Sequence, residues 1–264
     1  MILVVDIGNT NVTLGVYDKD NLVFVSRLPS KRQTTADQCV LELLYVLKIH
    51  DVPLGKVEGS IISSVVPSVT NVFSSAILQL LRKTPVMVNH KLNLNFEIHS
   101  ADPASTGADL IAGIAGGLKL HNSPIIVIDL GTATTFSVVD KENKFIGCVI
   151  APGVKTSVDS LIQNAELLTN VSISKPKKVL NSITQDCLRS GVIYGTAAMI
   201  DGVCDRIEDD LGYRCKIVAT GGFCEKIIPS CKKEIEIKPY LLLSGLNEIC
   251  LLYTSDAADD TPCV

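Results

Sequence analysis

The sequence predicts an α/β protein built from two similar halves. Two apolar runs end in Asp-x-Gly turns, at Asp6–Gly8 and at Asp129–Gly131, and these turns lie nearly half the chain length apart. Small polar residues and a second apolar run follow each turn, so the same local design occurs twice. A repeat of such long period indicates two halves that face one another rather than a solenoid. A third glycine turn, Thr220–Gly222, again follows a largely apolar run, so three distant turns can converge on one nucleotide.

The first half is predicted to contain three strands, a helix, a strand and a helix. The strands are short apolar runs bounded by turn residues, and the helices show apolar residues at helical spacing. Thr34 or Thr35 suits the N-cap of the first helix, and Pro67 suits the first turn of the second. The expected elements cover residues 2–5, 12–17, 22–28, 35–50, 57–63 and 67–82.

The second half repeats the strand pattern after a connection that is poor in strands. A helix rich in glycine and alanine is expected from about Leu110 to Leu120. A long helix should run from about Gln185 to Asp209, and the last helix opens near Leu241. The strands of this half are expected at 125–129, 134–139, 144–150 and 216–219.

The turn after the first strand has the chemistry of a phosphate site. Gly8 lets the backbone approach a ligand closely, and the turn offers N–H groups, amides and a hydroxyl. No lysine lies near it and no G-x-x-x-x-G-K-[ST] stretch occurs. A divalent cation must therefore neutralise the phosphates, and Asp6 is its expected ligand, directly or through water. The alternative is an ordinary tight hairpin with asparagine and glycine as turn formers.

Composition excludes several classes of partner. The chain has 264 residues, is 47% hydrophobic and carries a net charge of −4 without a basic block, so neither nucleic acid nor membrane is expected as a partner. No apolar run approaches the roughly 18 residues of a transmembrane helix, and no signal peptide is recognised, which predicts a cytoplasmic location. None of the nine cysteines forms a C-x-x-C pair, so we expect buried reduced thiols and no zinc site.

Four motifs in a fixed order resemble those of the type III pantothenate kinases, a branch of the acetate and sugar kinase/Hsp70/actin superfamily. They are Asp6-x-Gly8-Asn9-Thr10-Asn11, Gly107-Ala108-Asp109, Asp129-x-Gly131-Thr132-Ala133-Thr134-Thr135 and Pro152-Gly153. The similarity covers about residues 1–251. It implies a duplicated ribonuclease H-like (actin-like ATPase) fold, with a nucleotide cleft between the halves. It also implies phosphorylation of pantothenate by ATP, the first step of coenzyme A biosynthesis.

The resemblance also implies domain boundaries and residue roles. The halves are expected at 1–106 and 107–252. Beyond the region of similarity, residues 253–264 have little to bury, so their composition predicts a disordered tail. ATP is expected to contact Thr132 and Asp6, Ile7, Gly8, Asn9, Thr10, Asn11, Val12 and Thr13. Pantothenate is expected to contact Gly107, Ala108, Asp109, Leu110 and, from the second subunit of a homodimer, Thr184.

Three aspartates carry the implied chemistry. Asp109 is the implied proton acceptor, and Asp129 the implied ligand of K⁺ or NH₄⁺. Asp6 would bind Mg²⁺ or another divalent cation together with ATP. From the sequence alone, Asp109 is equally suited to the first turn of a helix, where the helix dipole favours a carboxylate.

Position 110 departs from the family pattern, which usually has arginine after the aspartate. If that arginine pairs with the pantothenate carboxylate, Leu110 lacks a charge-assisted contact of about 1.5–3 kcal/mol. The alternatives are that another cation substitutes for it, or that leucine is an accepted variant. The departure bears on substrate affinity more than on reaction type. Two alternatives stay open: a phosphohydrolase that uses water as nucleophile on the same fold, and a non-catalytic ATP-binding regulator.

A stripe of small residues predicts close helix packing. Gly191, Gly195, Ala197 and Ala198 follow one another largely at three- and four-residue spacings on the long helix. The resemblance favours the same helix of a second subunit as the partner. The alternative partner is the helix after Gly107 in the same subunit.

Overall fold

A computed structural model of the chain describes residues 1–165, 168 and 171–259, with side chains up to residue 253. The strands are β1 (Ile2–Ile7), β2 (Asn11–Asp18), β3 (Asn21–Pro29), β4 (Gly59–Ser64), β5 (Val86–Met87), β6 (Glu97–Ile98), β7 (Ile125–Leu130), β8 (Ala133–Val139), β9 (Lys144–Pro152), β10 (Lys216–Thr220) and β11 (Glu236–Ile237). The helices are α1 (Ala36–Ile49), α2 (Pro67–Leu81), α3 (Ala108–Leu120), α4 (Val154–Asn164), α5 (Thr184–Ser190), α6 (Thr196–Leu211), α7 (Cys224–Ile227) and α8 (Leu241–Asp259). A π-helical turn, Gly191–Gly195, joins α5 to α6.

The same strand order occurs twice. The chain forms two compact units, Met1–Leu120 with the chain from Leu241 onward, and His121–Tyr240. Strands of the first unit lie in the order β3-β2-β1-β4-β5, and those of the second in the order β9-β8-β7-β10-β11. In both units the central strand is antiparallel to one neighbour and parallel to the other. This is the duplicated ribonuclease H-like fold, as the sequence predicted.

The central strand of the first unit is buried on both faces. Leu3 and Val5 belong to the core that α1 and α2 complete, whereas Val4 lies near Leu243 of α8 on the other face. A strand covered on both faces reads as a continuous apolar run, which is why Ile2–Val5 shows no alternation. In the second unit, Ile126 and Ile128 of β7 pack with residues of α6 in the same manner.

Glycines bring α3 and α8 into backbone contact. A Cβ at Gly245 would lie 1.9 Å from the carbonyl oxygen of Ala112, and a Cβ at Gly116 would lie 2.3 Å from that of Leu241. The glycine and alanine content of α3 is therefore explained by α8. Because α3 packs on α8 and β4, the compact units divide after Leu120 and not at the expected boundary of 106/107.

Local signals placed most element boundaries correctly. Thr35 is the N-cap of α1: its Oγ1 accepts the Gln38 N–H at 3.3 Å, and Gln38 Oε1 accepts the Thr35 N–H at 3.1 Å.

The long helix expected from Gln185 is instead α5, the π-helical turn and α6. The expected tail, 253–264, overlaps α8, which runs to Asp259, and residues 260–264 lie outside the described residues. Among the described helices, none combines the length and the apolar composition of a membrane span.

Candidate active site

Asp6 lies at the carboxyl end of β1, where the hairpin turn begins. It stands opposite Thr13 on β2 and opposite Ser63 on β4. The Gly8 N–H donates to the Asn11 carbonyl oxygen at 2.9 Å, which closes the turn. The members of this turn that are exposed to solvent are Asn9, Thr10 and Asn11.

The flanking residues of this turn have a different role. Ile7 and Val12 are completely buried. Their side chains pack in the hydrophobic core of the first unit, so only their backbone atoms are available to a ligand.

Asp109 lies in the first turn of α3, and its neighbours fix its carboxylate. Oδ1 accepts the Leu110 N–H at 2.9 Å. A Cβ at Gly107 would lie 2.4 Å from the same oxygen, so glycine is required at position 107 for this side-chain position. Ala108 is buried, whereas Leu110 is partly exposed.

The structure brings Asp6 and Asp109 together. Burial, reinforced by the nearby Asp109 carboxylate, raises the pKa of Asp6 to about 7, and the Ser63 hydroxyl acts in the opposite direction. Burial also raises the pKa of Asp109, which the Leu110 N–H partly offsets. Two neighbouring, partly desolvated carboxylates gain stability from a cation between or beside them.

Hard oxygen donors of this kind fit a divalent cation that comes with a nucleotide. No group of three or more His, Cys, Asp or Glu side chains that could hold a metal occurs in the described part of the chain. Mg²⁺ usually binds to one or two carboxylates, with phosphate oxygens and water completing its shell. Asp6, with Asp109 beside it, therefore suits an ion that arrives with ATP.

The second unit repeats the arrangement around Asp129. This residue ends β7 and stands opposite Thr135 on β8 and Thr220 on β10. The Gly131 N–H donates to the Ala133 carbonyl oxygen at 3.0 Å, as Gly8 does in the first unit.

The backbone of Gly221 packs closely against the Asp129 carboxylate. Gly221 has φ +94°, which only glycine adopts readily, and a Cβ there would lie 2.4 Å from Asp129 Oδ1. The third glycine turn of the sequence is therefore packed against the second.

The Pro152-Gly153 motif packs against the turn that contains Thr132. A Cβ at Gly153 would lie 2.2 Å from the Thr132 carbonyl oxygen and 2.5 Å from that of Gly131. Thr156 of α4 donates its hydroxyl to the Thr132 carbonyl at 2.8 Å. The backbone of this turn is thus fixed, and the Thr132 side chain is exposed.

The α5–α6 segment presents the other predicted residues. Thr184 is the first residue of α5 and is exposed. Apart from its chain neighbours and the nearby backbone of its own helix, a Cβ at Gly191 or Gly195 would meet no described atom within 4 Å, and Ala198 is exposed. Ala197, by contrast, is 2% exposed and belongs to the core of the second unit. Three of the four small residues therefore form an open face.

Sequence reasoning missed the end of β4. Ser63 and Ser64 end this strand beside the end of β1, and parallel strands present ligand sites at their carboxyl ends. A cavity of about 310 Å³ opens there. It is lined by Ser64, Val65, Pro67, Thr70, Asn71, Met87 and Val88. In the sequence, the signal for this site was the pair of serines, Ser63 and Ser64, that follows an apolar run.

Comparisons with known proteins identify the family of this chain. A family model described as type III pantothenate kinase matches residues 2–206. The type III pantothenate kinase of Dictyoglomus turgidum is 37% identical over 253 residues, which are 95% of this chain and 99% of that protein. The one of Geotalea daltonii is 34% identical over 247 residues, 94% of this chain and 96% of that protein.

A solved structure supports the fold alone. The activator of the 2-hydroxyisocaproyl-CoA dehydratase from Clostridium difficile with bound ADPNP gives a TM-score of 0.61 at 12% identity. The alignment covers 100% of this chain and 98% of that one. At such low identity the likeness carries no statement about activity.

Proposed function

The chain belongs to the type III pantothenate kinase family and is an ATP-dependent kinase of pantothenate; from this premise we propose that Asp109 accepts the proton of the attacking hydroxyl. The observation that carries the proposal is the pairing of Asp109 with Asp6 at the carboxyl end of β1. The product is 4'-phosphopantothenate, and we place the reaction in the cytoplasm, as the first step of coenzyme A biosynthesis.

Orientation of the hydroxyl is the main task of Asp109 in this proposal. In a loose phosphoryl-transfer transition state the proton leaves late, so position matters more than basicity. The Leu110 N–H and the absence of a side chain at Gly107 hold the carboxylate in one place. The raised pKa of Asp109 brings its basicity closer to what a base at neutral pH requires. Gly107–Leu110 would contact pantothenate.

The first hairpin turn is our proposed site for the ATP phosphates. The N–H groups of the turn and the exposed side chains of Asn9–Asn11 can donate to phosphate oxygens. Asp6 would hold the divalent cation together with ATP, directly or through water. When bound, such a cation neutralises the charge that develops on the transferred phosphoryl group. Thr132 is the proposed ATP contact of the second unit.

Turnover of ATP that requires pantothenate tests the function. We expect a coupled assay to show ADP release only when pantothenate is present, because the acceptor alcohol is the nucleophile. Equal ADP release without pantothenate would instead identify a phosphohydrolase. Absence of turnover together with ATP binding would identify a regulator. Family membership does not favour either alternative.

We propose that Asp129 helps to bind K⁺ or NH₄⁺. A strand-end carboxylate near the backbone of Gly131 and Gly221 offers the hard oxygen donors that a monovalent cation takes. We expect activity in potassium or ammonium salts and none in sodium salts alone. Asp129→Ala should lose the potassium response and most activity, whereas the exposed Asp210→Ala should keep both. Equal rates in all three salts would contradict the proposal.

We further propose a homodimer in which Thr184 completes the substrate site of the second subunit. The open face of Gly191, Gly195 and Ala198 supports close approach of another helix. A two-fold dimer presents this face twice, so both sites would be shared equally.

Mixing two inactive variants tests the shared site. We expect inactive Asp109→Asn chains and inactive Thr184→Arg chains to regain activity after subunit exchange, because each heterodimer collects both changes in one site. A mixture of Asp109→Asn with Asp109→Ala chains is the control and must stay inactive. Mixed chains that exchange subunits but remain inactive, or an active monomer in sedimentation, would contradict the dimer proposal.

A further inference from the structure

The hydroxyl of Ser63 is buried beside Asp6 and makes no hydrogen bond of normal geometry with the described residues. Ser63 is 0% exposed, and its Oγ has no partner of normal hydrogen-bond geometry among the described residues. Ser63 lies opposite Asp6 in the register of β4 and β1, and its hydroxyl acts to lower the pKa of the Asp6 carboxylate. Burying a hydroxyl without a partner costs free energy, and a hydrogen bond to the Asp6 carboxylate would offset that cost.

Strand alternation explains why Ser63 faces Asp6. Registered residues of neighbouring strands point to the same face, and successive residues point to opposite faces. Leu3 and Val5 face the α1 and α2 core, so Asp6 and Ser63 point to the other face. Helix α3, which carries Asp109, contacts β4. Asp6, Ser63 and Asp109 therefore meet on one face.

Hydroxyl residues flank the strand-end aspartate in both units. In the first unit the row is Thr13, Asp6 and Ser63, and in the second it is Thr135, Asp129 and Thr220. Thr220 donates to the Pro239 carbonyl oxygen at 3.3 Å, whereas Ser63 has no such outlet. The row occurs in both units, and the Ser63 hydroxyl, unlike that of Thr220, has no carbonyl acceptor among the described residues.

We propose that Ser63 is a positioning residue that donates its hydroxyl to the Asp6 carboxylate and holds it in the orientation that binds the divalent cation of ATP. The inference rests on the proposed role of Asp6. Ser63 does not touch ATP or pantothenate, and it acts through Asp6 alone. One carboxylate oxygen held by Ser63 leaves the remaining lone pairs directed at the cation.

The same strand supplies a matched control. Ser60 is 2% exposed, its hydroxyl also lacks a partner among the described residues, and it lies three residues away on the opposite face of the sheet. Ser60→Ala removes the same buried atom from the same strand without approaching Asp6. A merely structural effect of losing a serine hydroxyl from β4 would therefore appear in both variants.

Calorimetric binding of a non-hydrolysable ATP analogue, with and without MgCl₂, tests the proposal. The quantity to compare is the factor by which Mg²⁺ strengthens binding of the analogue. Ser63→Ala should reduce this factor about tenfold, the scale of one charge-assisted hydrogen bond. Ser60→Ala should leave it unchanged, and Ser63→Thr, which keeps a hydroxyl, should stay within about threefold of wild type.

Three results would overturn the inference. They are a normal Mg²⁺ factor in Ser63→Ala, the same loss in Ser60→Ala, and a Ser63→Thr chain, folded by its melting transition, that behaves like Ser63→Ala. An Asp6→Asn variant separates this failure from that of the proposed function. If the Mg²⁺ factor is lost in Asp6→Asn but not in Ser63→Ala, only the proposed role of Ser63 is wrong. If the factor is normal in Asp6→Asn, the proposed role of Asp6 is wrong as well.

Discussion

Replacing Asp109 by asparagine is expected to lower kcat by about 100-fold or more, the usual scale for loss of a general base. Asparagine has nearly the same shape, and its side-chain oxygen can still accept the Leu110 N–H, so the first turn of α3 should persist. Binding of the ATP analogue and the melting temperature should therefore stay close to those of wild type. Steady-state rates and a thermal melt on the same preparation check both expectations.

The matched control separates catalysis from helix capping. Asp37 is also an acidic residue in the first helical turn, in α1, and it is exposed. Asp37→Asn should lower stability by at most about 1 kcal/mol, because it weakens only the interaction with the helix dipole, and it should leave kcat unchanged. If Asp109→Asn behaved in the same way, with a small loss of stability and normal kcat, Asp109 would be a capping residue only.

Replacing Gly245 by alanine is expected to destabilise the protein by about 3 kcal/mol or to prevent folding. The added Cβ would lie 1.9 Å from the Ala112 carbonyl oxygen, a backbone atom that cannot move aside as a flexible side chain can. The two helices must separate, which opens the face of β1 and β4 that they cover. Because α3 carries Asp109, activity should fall with stability. Denaturant unfolding followed by circular dichroism measures the loss.

Gly202→Ala is the control for the glycine change itself. Gly202 lies inside α6, and an added Cβ would approach only the Arg206 guanidinium, at 3.1 Å, which is the end of a flexible side chain. This variant should be neutral or more stable by up to about 1 kcal/mol, since alanine favours the helix. Equal unfolding curves for wild type and Gly245→Ala would show that α3 and α8 are not in backbone contact.

Local chemistry made much of the fold predictable from the sequence. The capping box at Thr35, the proline that opens α2 and the apolar runs of the strands all act over a few residues. The π-helical turn at Gly191–Gly195 was not predictable, since one extra residue in a helix leaves the apolar periodicity almost unchanged. Strands β5 and β6, of two residues each, are too short to show a pattern.

The sequence by itself determined the repeated Asp-x-Gly turn, and with it the two similar units and the family. Only the tertiary structure decided that Ser63 faces Asp6, that Asp109 stands beside them, and that α8 returns to pack on α3. The physical reason is the distance along the chain over which each interaction acts. The interactions that form a turn join residues that are neighbours in sequence. The register of parallel strands and the approach of helices depend on the packing of residues that lie far apart in sequence.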